Sequence, residues 1–260
     1  MKKLFVASLI LLVCACTDWN SGETGLPDLS WGTAELCIEN PIAPGEKYCY
    51  QIKIELDTLD GESELAKRLA SVLRDSVLYT PARQTIQEAI TAFADSIEAE
   101  WKAELAENYE PESEYKEMFQ YYYNVEGGIV EGTGSEKQDS ILSYQVTTSC
   151  YLGGAHGSHV VWYYNFDRAS GKLLDIHDIV PQDKEKQVLM EMGEQLCRDW
   201  DAKDLADLQE QTGITMLGDL YLTNNFLLKK DSITFLFNQY EIAPYAAGLI
   251  SVTIPYAPNR

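Results

Sequence analysis

The fold is indicated most clearly by residues 142–157, which read LSYQVTTSCYLGGAHG. From Leu142 to Leu152, inward and outward positions alternate in the pattern typical of a strand with one buried face. The alternation returns at residues 161–166, and the turn-forming run DRASG at 167–171 reverses the chain. We therefore predict an antiparallel meander of strands between residues 121 and 174.

Helices flank this meander on both sides. Apolar residues at helical spacing predict a first helix capped by Ser63, and a second that begins at Thr80-Pro81 and is ended by Pro111. A third helix is predicted over residues 183–211. The remaining elements are strands, predicted at residues 34–38, 48–56, 226–228, 233–237 and 249–256.

Helices in blocks between antiparallel strands predict an α+β fold, with packed helices on antiparallel sheets. We expect two small subdomains, an N-terminal one over residues 34–165 and a C-terminal one over residues 166–260.

The N-terminus has the form of a bacterial lipoprotein signal. Lys2 and Lys3 precede an apolar run over residues 4–13, which is shorter than the roughly 20 residues of a spanning helix. The run ends in VCAC, which resembles a lipobox with Cys16 as the lipid acceptor; an ordinary secretory signal is the alternative. We expect a signal peptide over residues 1–15, a membrane anchor at Cys16 facing the periplasm or the outside, and a flexible tether over residues 16–33.

The chain is strongly acidic, with 20 basic and 41 acidic residues and a net charge of −21. Removal of residues 1–15 would take away two lysines and no acid, which lowers the charge to −23. Such a field repels nucleic acid and anionic membranes and attracts basic partners, although solubility alone also explains it.

Four cysteines follow Cys16, and an even number in an oxidising compartment favours disulfides. The segment between Cys37 and Cys49 contains Pro41 and Pro44-Gly45, which predict a turn, so we expect these two cysteines to pair. Cys150 and Cys197 would then pair by elimination.

Three strings together resemble a known family: YLGGAHG at 151–157, YYNFDRASGKLLDIHDIV at 163–180 and NQYEIAPYAAGLISVTIPY at 238–256. They are similar to the extracellular domain pair of the RsiV-type lysozyme-sensing anti-sigma factors. Similar domains occur beside the catalytic domain of PdaC-type peptidoglycan deacetylases and as free-standing lipoproteins. The resemblance implies an envelope-facing α+β module that recognises something outside the cell, in one case lysozyme. We expect neither a sigma-binding segment nor a deacetylase domain here.

Within these strings, the candidate ligand-binding residues are Tyr151, Gly153, Gly154, His156, His159, Tyr240 and Tyr245. The glycines permit a tight connection, so an architectural role for the loop is one interpretation. The other interpretation is a binding loop, because tyrosine-rich loops are also good binding surfaces.

The sequence does not match the common enzymatic motifs. His156 and His159 lie three apart in a glycine-rich loop, whereas a helical zinc site has histidines four apart with a glutamate between them. His177 beside Asp175 and Asp178 gives no clearer metal motif, and no serine nucleophile elbow or phosphate loop is present. We expect a non-catalytic binding protein without cofactor or metal, whose partner is an extracellular or periplasmic macromolecule, either a basic, lysozyme-like protein or peptidoglycan.

Two other hypotheses stay open at this stage. One is a glycan-binding module that uses the aromatic run at residues 121–123 together with Trp162. The other is an enzyme that acts on envelope glycan through a metal near His156.

Overall fold

The computed structural model describes residues 29–130, 141–229 and 231–256, which build two hydrophobic cores, each on its own sheet. The first sheet has the order β1-β2-β3-β4-β5-β6, with strands β1 Trp31–Pro41, β2 Cys49–Leu59, β3 Tyr122–Ile129, β4 Ile141–Tyr151, β5 Ser158–Asp167 and β6 Leu173–Leu174. The second has the order β7-β8-β9, with β7 Phe226–Lys229, β8 Ser232–Phe237 and β9 Ile250–Pro255. The helices are α1 Glu64–Val72, α2 Ile86–Asn108, α3 Ile176–Ile179, α4 Glu185–Asp199 and α5 Leu205–Thr212. The predicted α+β class is confirmed.

The six-stranded sheet buries one face under α1 and α2. Along β2, the side chains at residues 50, 52, 54 and 56 are buried, and the intervening Gln51, Lys53 and Glu55 point to the other, polar face. The predicted meander is present as β3 to β6, all antiparallel. The sheet departs from a purely antiparallel one where β2 pairs with β3 in parallel, because the chain crosses over through α1 and α2 between them.

The predicted start of the first helix is confirmed, and the predicted start of the second is wrong. The first helix begins at Ser63 as expected, since the Ser63 hydroxyl accepts from the Ala66 amide at 3.1 Å. The second does not begin at Thr80-Pro81. It begins after Thr85, whose side chain accepts from the Glu88 amide while Glu88 accepts from the Thr85 amide, a reciprocal capping box.

The single helix predicted over residues 183–211 is also wrong. The α-helix α4 ends at Asp199, and Asp201 then adopts a left-handed φ of 53°. A new helix, α5, begins where the Asp204 carboxylate accepts from the Asp207 amide at 2.9 Å. The hairpin and last strand are confirmed as β7, β8 and β9, which pack on Met192 and Leu196 of α4 in the second core.

The predicted limits of tether and subdomains can be placed on this fold. The strand β1 begins at Trp31, within the stretch assigned to the tether. The division after residue 165 falls within β5, which ends at Asp167. The predicted signal peptide and the predicted lipid acceptor Cys16 lie outside the described residues.

The expected disulfides are not formed: Cys37, Cys49, Cys150 and Cys197 are all free thiols. In the pairing of β1 with β2, Cys37 lies opposite Lys53 and Cys49 lies opposite Pro41. The two cysteines are thus offset by four residues, about 13 Å along the strands, whereas a disulfide needs Cα atoms within about 7 Å. Burial raises the pKa of the Cys150 and Cys197 thiols, which keeps both protonated.

Among the described residues, no helix has the length and apolar character needed to cross a membrane.

Candidate functional site

The sequence strings at residues 151–157 and 238–256 meet at the junction between the cores. The loop after β4 carries His156, and the segment after β8 carries Tyr240 and Tyr245. The His156 ring stacks on the Tyr245 ring with centroids 3.7 Å apart and planes 18° apart. Tyr240 lies beside both, its centroid 6.5 Å from that of His156 and 5.8 Å from that of Tyr245. We call these three residues the aromatic cluster.

Hydrogen bonds fix the cluster to the loop. The Tyr245 hydroxyl donates to the Gly157 carbonyl at 2.9 Å. That carbonyl also lies 3.1 Å from His156 Nδ1, and because a carbonyl only accepts, Nδ1 carries the proton. In the neutral ring, Nε2 is then left to accept from the Tyr240 hydroxyl, 3.4 Å away. The cluster is therefore held in place before any ligand binds.

The backbone around the cluster needs unusual conformations. Gly153 and Gly154 have φ values of 86° and 90°, and the Tyr151 hydroxyl closes this turn by donating to the Gly154 carbonyl at 3.0 Å. Tyr240 itself has a φ of 68°, which few non-glycine residues adopt. Tyr240 remains 56% exposed.

Side-chain amides from the second core attach the segment to β5. The buried Asn238 accepts from the Val161 amide at 2.9 Å and donates to the Val161 carbonyl at 3.1 Å. The buried Asn225 accepts from the Tyr163 amide at 2.9 Å and donates to the same Val161 carbonyl at 2.8 Å. These amides satisfy backbone groups of β5 that face away from β4, much as a neighbouring strand would.

The candidate residues divide into two groups in the structure. His156, Tyr240 and Tyr245 form the aromatic cluster, and His159 lies next to it, since its amide donates to the Gln239 side chain at 3.3 Å. The His159 ring, however, interacts with Ser149 through Nδ1 at 2.8 Å. The others lie on the far side of the loop: Tyr151 stacks on Tyr122, and Gly153 and Gly154 border a groove.

The aromatic run at residues 121–123 does not combine with Trp162 into one surface. Tyr121 is buried, and Tyr122 pairs with Tyr151 on the open face of the sheet. Trp162 pairs with the buried Val146 and so belongs to the opposite face. A flat sugar-stacking platform built from Tyr122 and Trp162 is therefore excluded.

Among the residues that the structure describes, no group of three or more histidines, cysteines or acids is arranged to hold a metal ion. The acids beside His177 make other contacts: Asp175 caps α3 by accepting from the His177 amide at 2.7 Å, and Asp178 pairs with Lys172.

Sequence reasoning missed Asn225 and Asn238. Asn238 begins one of the quoted strings, but its neighbours gave no sign that its side chain would be buried. Asn225 lies in no motif, and nothing local marks it.

Comparison with known proteins finds two family models that match successive parts of the chain. Residues 44–159 match the family described as deacetylase PdaC, and residues 177–257 match a protein family of unknown function, DUF3298. The chain thus matches a PdaC-type model and then a DUF3298 model, which confirms the resemblance to the RsiV-like and PdaC-type non-catalytic domains. The two matches indicate a cell-envelope-associated protein.

Two solved structures share the fold. A DUF3298 family member from Bacteroides fragilis is 21% identical, with a TM-score of 0.74 over 88% of this chain and 90% of that one. A DUF3298 family protein from Pseudomonas aeruginosa is 17% identical, with a TM-score of 0.61 over 89% of this chain and 93% of that one. No match to a curated protein was found.

Proposed function

We propose that this protein is a non-catalytic, lipid-anchored binding protein of the cell envelope, which recognises a basic extracellular protein such as lysozyme through the aromatic cluster. The observation that carries the proposal is the cluster itself: three rings at the junction of two cores, hydrogen-bonded into one arrangement, with Tyr240 exposed.

Such a cluster has the properties of a binding hot spot. Tyrosine supplies a large contact area from a side chain with few rotatable bonds, and rings that are already fixed lose little entropy on binding. The exposed face of Tyr240 also offers a surface for a lysine or arginine side chain of a basic partner.

The net charge of −21 supports a basic partner in a different way. Long-range attraction speeds the encounter and is screened beyond about 8 Å at physiological salt, whereas contacts at the cluster persist. Binding should therefore weaken as salt rises, without vanishing.

The test is binding of the full-length chain to immobilised lysozyme, to peptidoglycan fragments and to cytochrome c, a basic protein of similar size, at low and physiological salt. We expect lysozyme binding to survive at physiological salt while cytochrome c binding is lost. Equal loss for both proteins would show nonspecific charge attraction, and retention of peptidoglycan fragments alone would favour glycan recognition instead.

The proposed anchor is tested separately. Cys16→Ala should abolish labelling by a fatty-acid probe, because Cys16 is the proposed acceptor. Continued labelling of that variant would refute lipid attachment at this residue.

A further inference from the structure

A second concave surface lies on the other side of the loop that carries the aromatic cluster. It is a groove of about 410 Å³ between the end of α2, the connection from α2 to β3, and Leu152, Gly153 and Gly154. Its floor includes Tyr121, which is buried and packs against Trp101 and Phe119 at centroid distances of 5.6 and 6.0 Å. The floor therefore belongs to the first core, which makes it rigid.

The walls of the groove expose apolar side chains. Tyr115 is 67% exposed, Leu152 50% and Met118 42%, and all three line the same concavity. Exposed apolar residues scattered singly are ordinary, but several around one groove mark an interaction surface. Tyr115 and Met118 come from the connection between α2 and β3, and Leu152 comes from the loop after β4, so two segments of the chain supply the apolar lining.

The charge around the groove is mainly negative. The stretch from residue 104 to 117 holds six glutamates and one lysine, and that lysine, Lys116, is 2.9 Å from Glu46 in an ion pair. Of these glutamates, Glu104 and Glu110 line the groove directly. Basic residues of this stretch thus neutralise little of the negative charge of the glutamates, and the groove would attract a cationic group of a ligand.

The end of α2 adds to this attraction. Asn108, the last residue of the helix, lines the groove, and the last turn of α2 contains no basic residue. The carboxyl end of a helix carries a partial negative charge, which favours a cation nearby. The dipole of this helix and the glutamates therefore favour the same kind of ligand.

The groove is formed before binding. Burial raises the pKa of Tyr121, and the neighbouring Glu104 carboxylate raises it further. Gly153 faces Tyr121 with a φ of 86°, and a Cβ there would lie 3.5 Å from the Tyr121 ring. The backbone of the loop thus forms one edge of the groove without a side chain to obstruct it.

We propose that this groove binds a cationic-apolar segment of a partner protein, in which a lysine or arginine adjoins an apolar side chain. The apolar side chain packs between Met118 and Leu152, and the cation lies near Glu110 and the end of α2. The stem of the cationic side chain can also lie along Tyr115 while its charged head stays in water. This surface is distinct from the aromatic cluster, and it does not depend on lysozyme being the partner.

The probe for the test is a fluorescein-labelled ten-residue peptide with two Arg-Leu pairs spaced by glycine and serine. Fluorescence anisotropy is measured with the full-length chain in nonionic detergent, so that any binding to micelles is common to all variants. Met118→Ser combined with Leu152→Ser should weaken binding at least tenfold. The matched control is Met190→Ser on α4, since Met190 is 62% exposed and lies outside the groove, and this change should leave binding unaltered.

Charge is tested with a second pair of variants. Glu110→Gln should weaken binding about threefold or more at low salt, and Glu210→Gln on α5 should not. The proposal is overturned if the double serine variant binds like the wild type, or if Met190→Ser causes the same loss. It is also overturned if a peptide with serine in place of both leucines binds equally well, since charge alone would then suffice.

Discussion

The pair Asn225 and Asn238 gives the sharpest prediction about how the two cores are joined. Both amides donate to one acceptor, the Val161 carbonyl, at 2.8 and 3.1 Å. Each side chain also accepts a hydrogen bond from a backbone N–H of β5 that faces away from β4. Asn225 accepts from Tyr163 and Asn238 accepts from Val161, both at 2.9 Å. Replacement by leucine, which is close in volume, removes the hydrogen bonds without leaving a large cavity.

Each single change leaves one buried N–H without a partner, which costs about 1–3 kcal/mol of the free energy of unfolding. In each single variant the Val161 carbonyl keeps one donor, whereas in the double variant Asn225→Leu/Asn238→Leu it loses both. The double variant should thus lose more than the sum of the singles, by about another 1–3 kcal/mol.

The assay is urea unfolding of the wild type, both singles and the double, with circular dichroism and tryptophan fluorescence as coincident probes. Because total stabilities are about 5–15 kcal/mol, all four proteins are measured with added trimethylamine N-oxide if the double is otherwise unfolded. The control cycle combines Asn238→Leu with Asn224→Leu instead of Asn225→Leu. Asn224 is exposed, and its side chain accepts from the Ile176 amide at 2.8 Å. Additivity within about 0.5 kcal/mol for Asn225 and Asn238 would refute the shared-acceptor reasoning.

Three further predictions concern the first core. Peptide mapping of the protein without reducing agent should find Cys37 and Cys49 as free thiols, and a link between them would contradict the strand register. Burial alone would raise the pKa of Glu98, but hydrogen bonds outweigh burial and hold this pKa below its ordinary value. The ionised Glu98 should therefore stabilise the fold above about pH 4.5, and this stabilisation should be lost as pH falls through the lowered pKa. Glu98→Gln should then make the free energy of unfolding in urea depend less on pH in the acid range. An unchanged pH dependence would contradict this. Gly171→Ala should lower the free energy of unfolding in urea by about 2–5 kcal/mol, because φ is 72° and the new Cβ would lie 2.5 Å from the backbone where α1 begins. Gly154→Ala should lower it less, because φ is 90° there but the space around the new Cβ is open.

Local patterns in the sequence predicted much of the fold. Alternation from Leu142 to Leu152 was enough for β4, because one buried face imposes a period of two on the sequence. The sequence also contains the signal for the true start of α2, since Thr85 and Glu88 have capping-box spacing, but Thr80-Pro81 predicts an earlier start. That error came from competing signals, since both threonines are acceptable caps.

Other features depend on contacts distant in sequence and could not be read locally. The parallel pairing of β2 with β3 is set by the path of two helices between them. Asn225 and Asn238 lie more than 60 positions along the chain from their partners Tyr163 and Val161, and an isolated asparagine is more often a turn residue. For the candidate site, the sequence indicated His156, Tyr240 and Tyr245. It did not indicate that His156 stacks on Tyr245.

The most direct test of the proposed function is the dissociation constant for lysozyme of the Tyr240→Ala variant at physiological salt, compared with wild type and with Trp200→Ala. Tyr240 is 56% exposed, and Trp200, 46% exposed at the end of α4, is the matched aromatic control. We predict at least a tenfold loss of affinity for Tyr240→Ala, as expected when an aromatic anchor is removed, with unchanged thermal stability and no loss for Trp200→Ala. Wild-type affinity in the Tyr240→Ala variant would contradict recognition through the aromatic cluster.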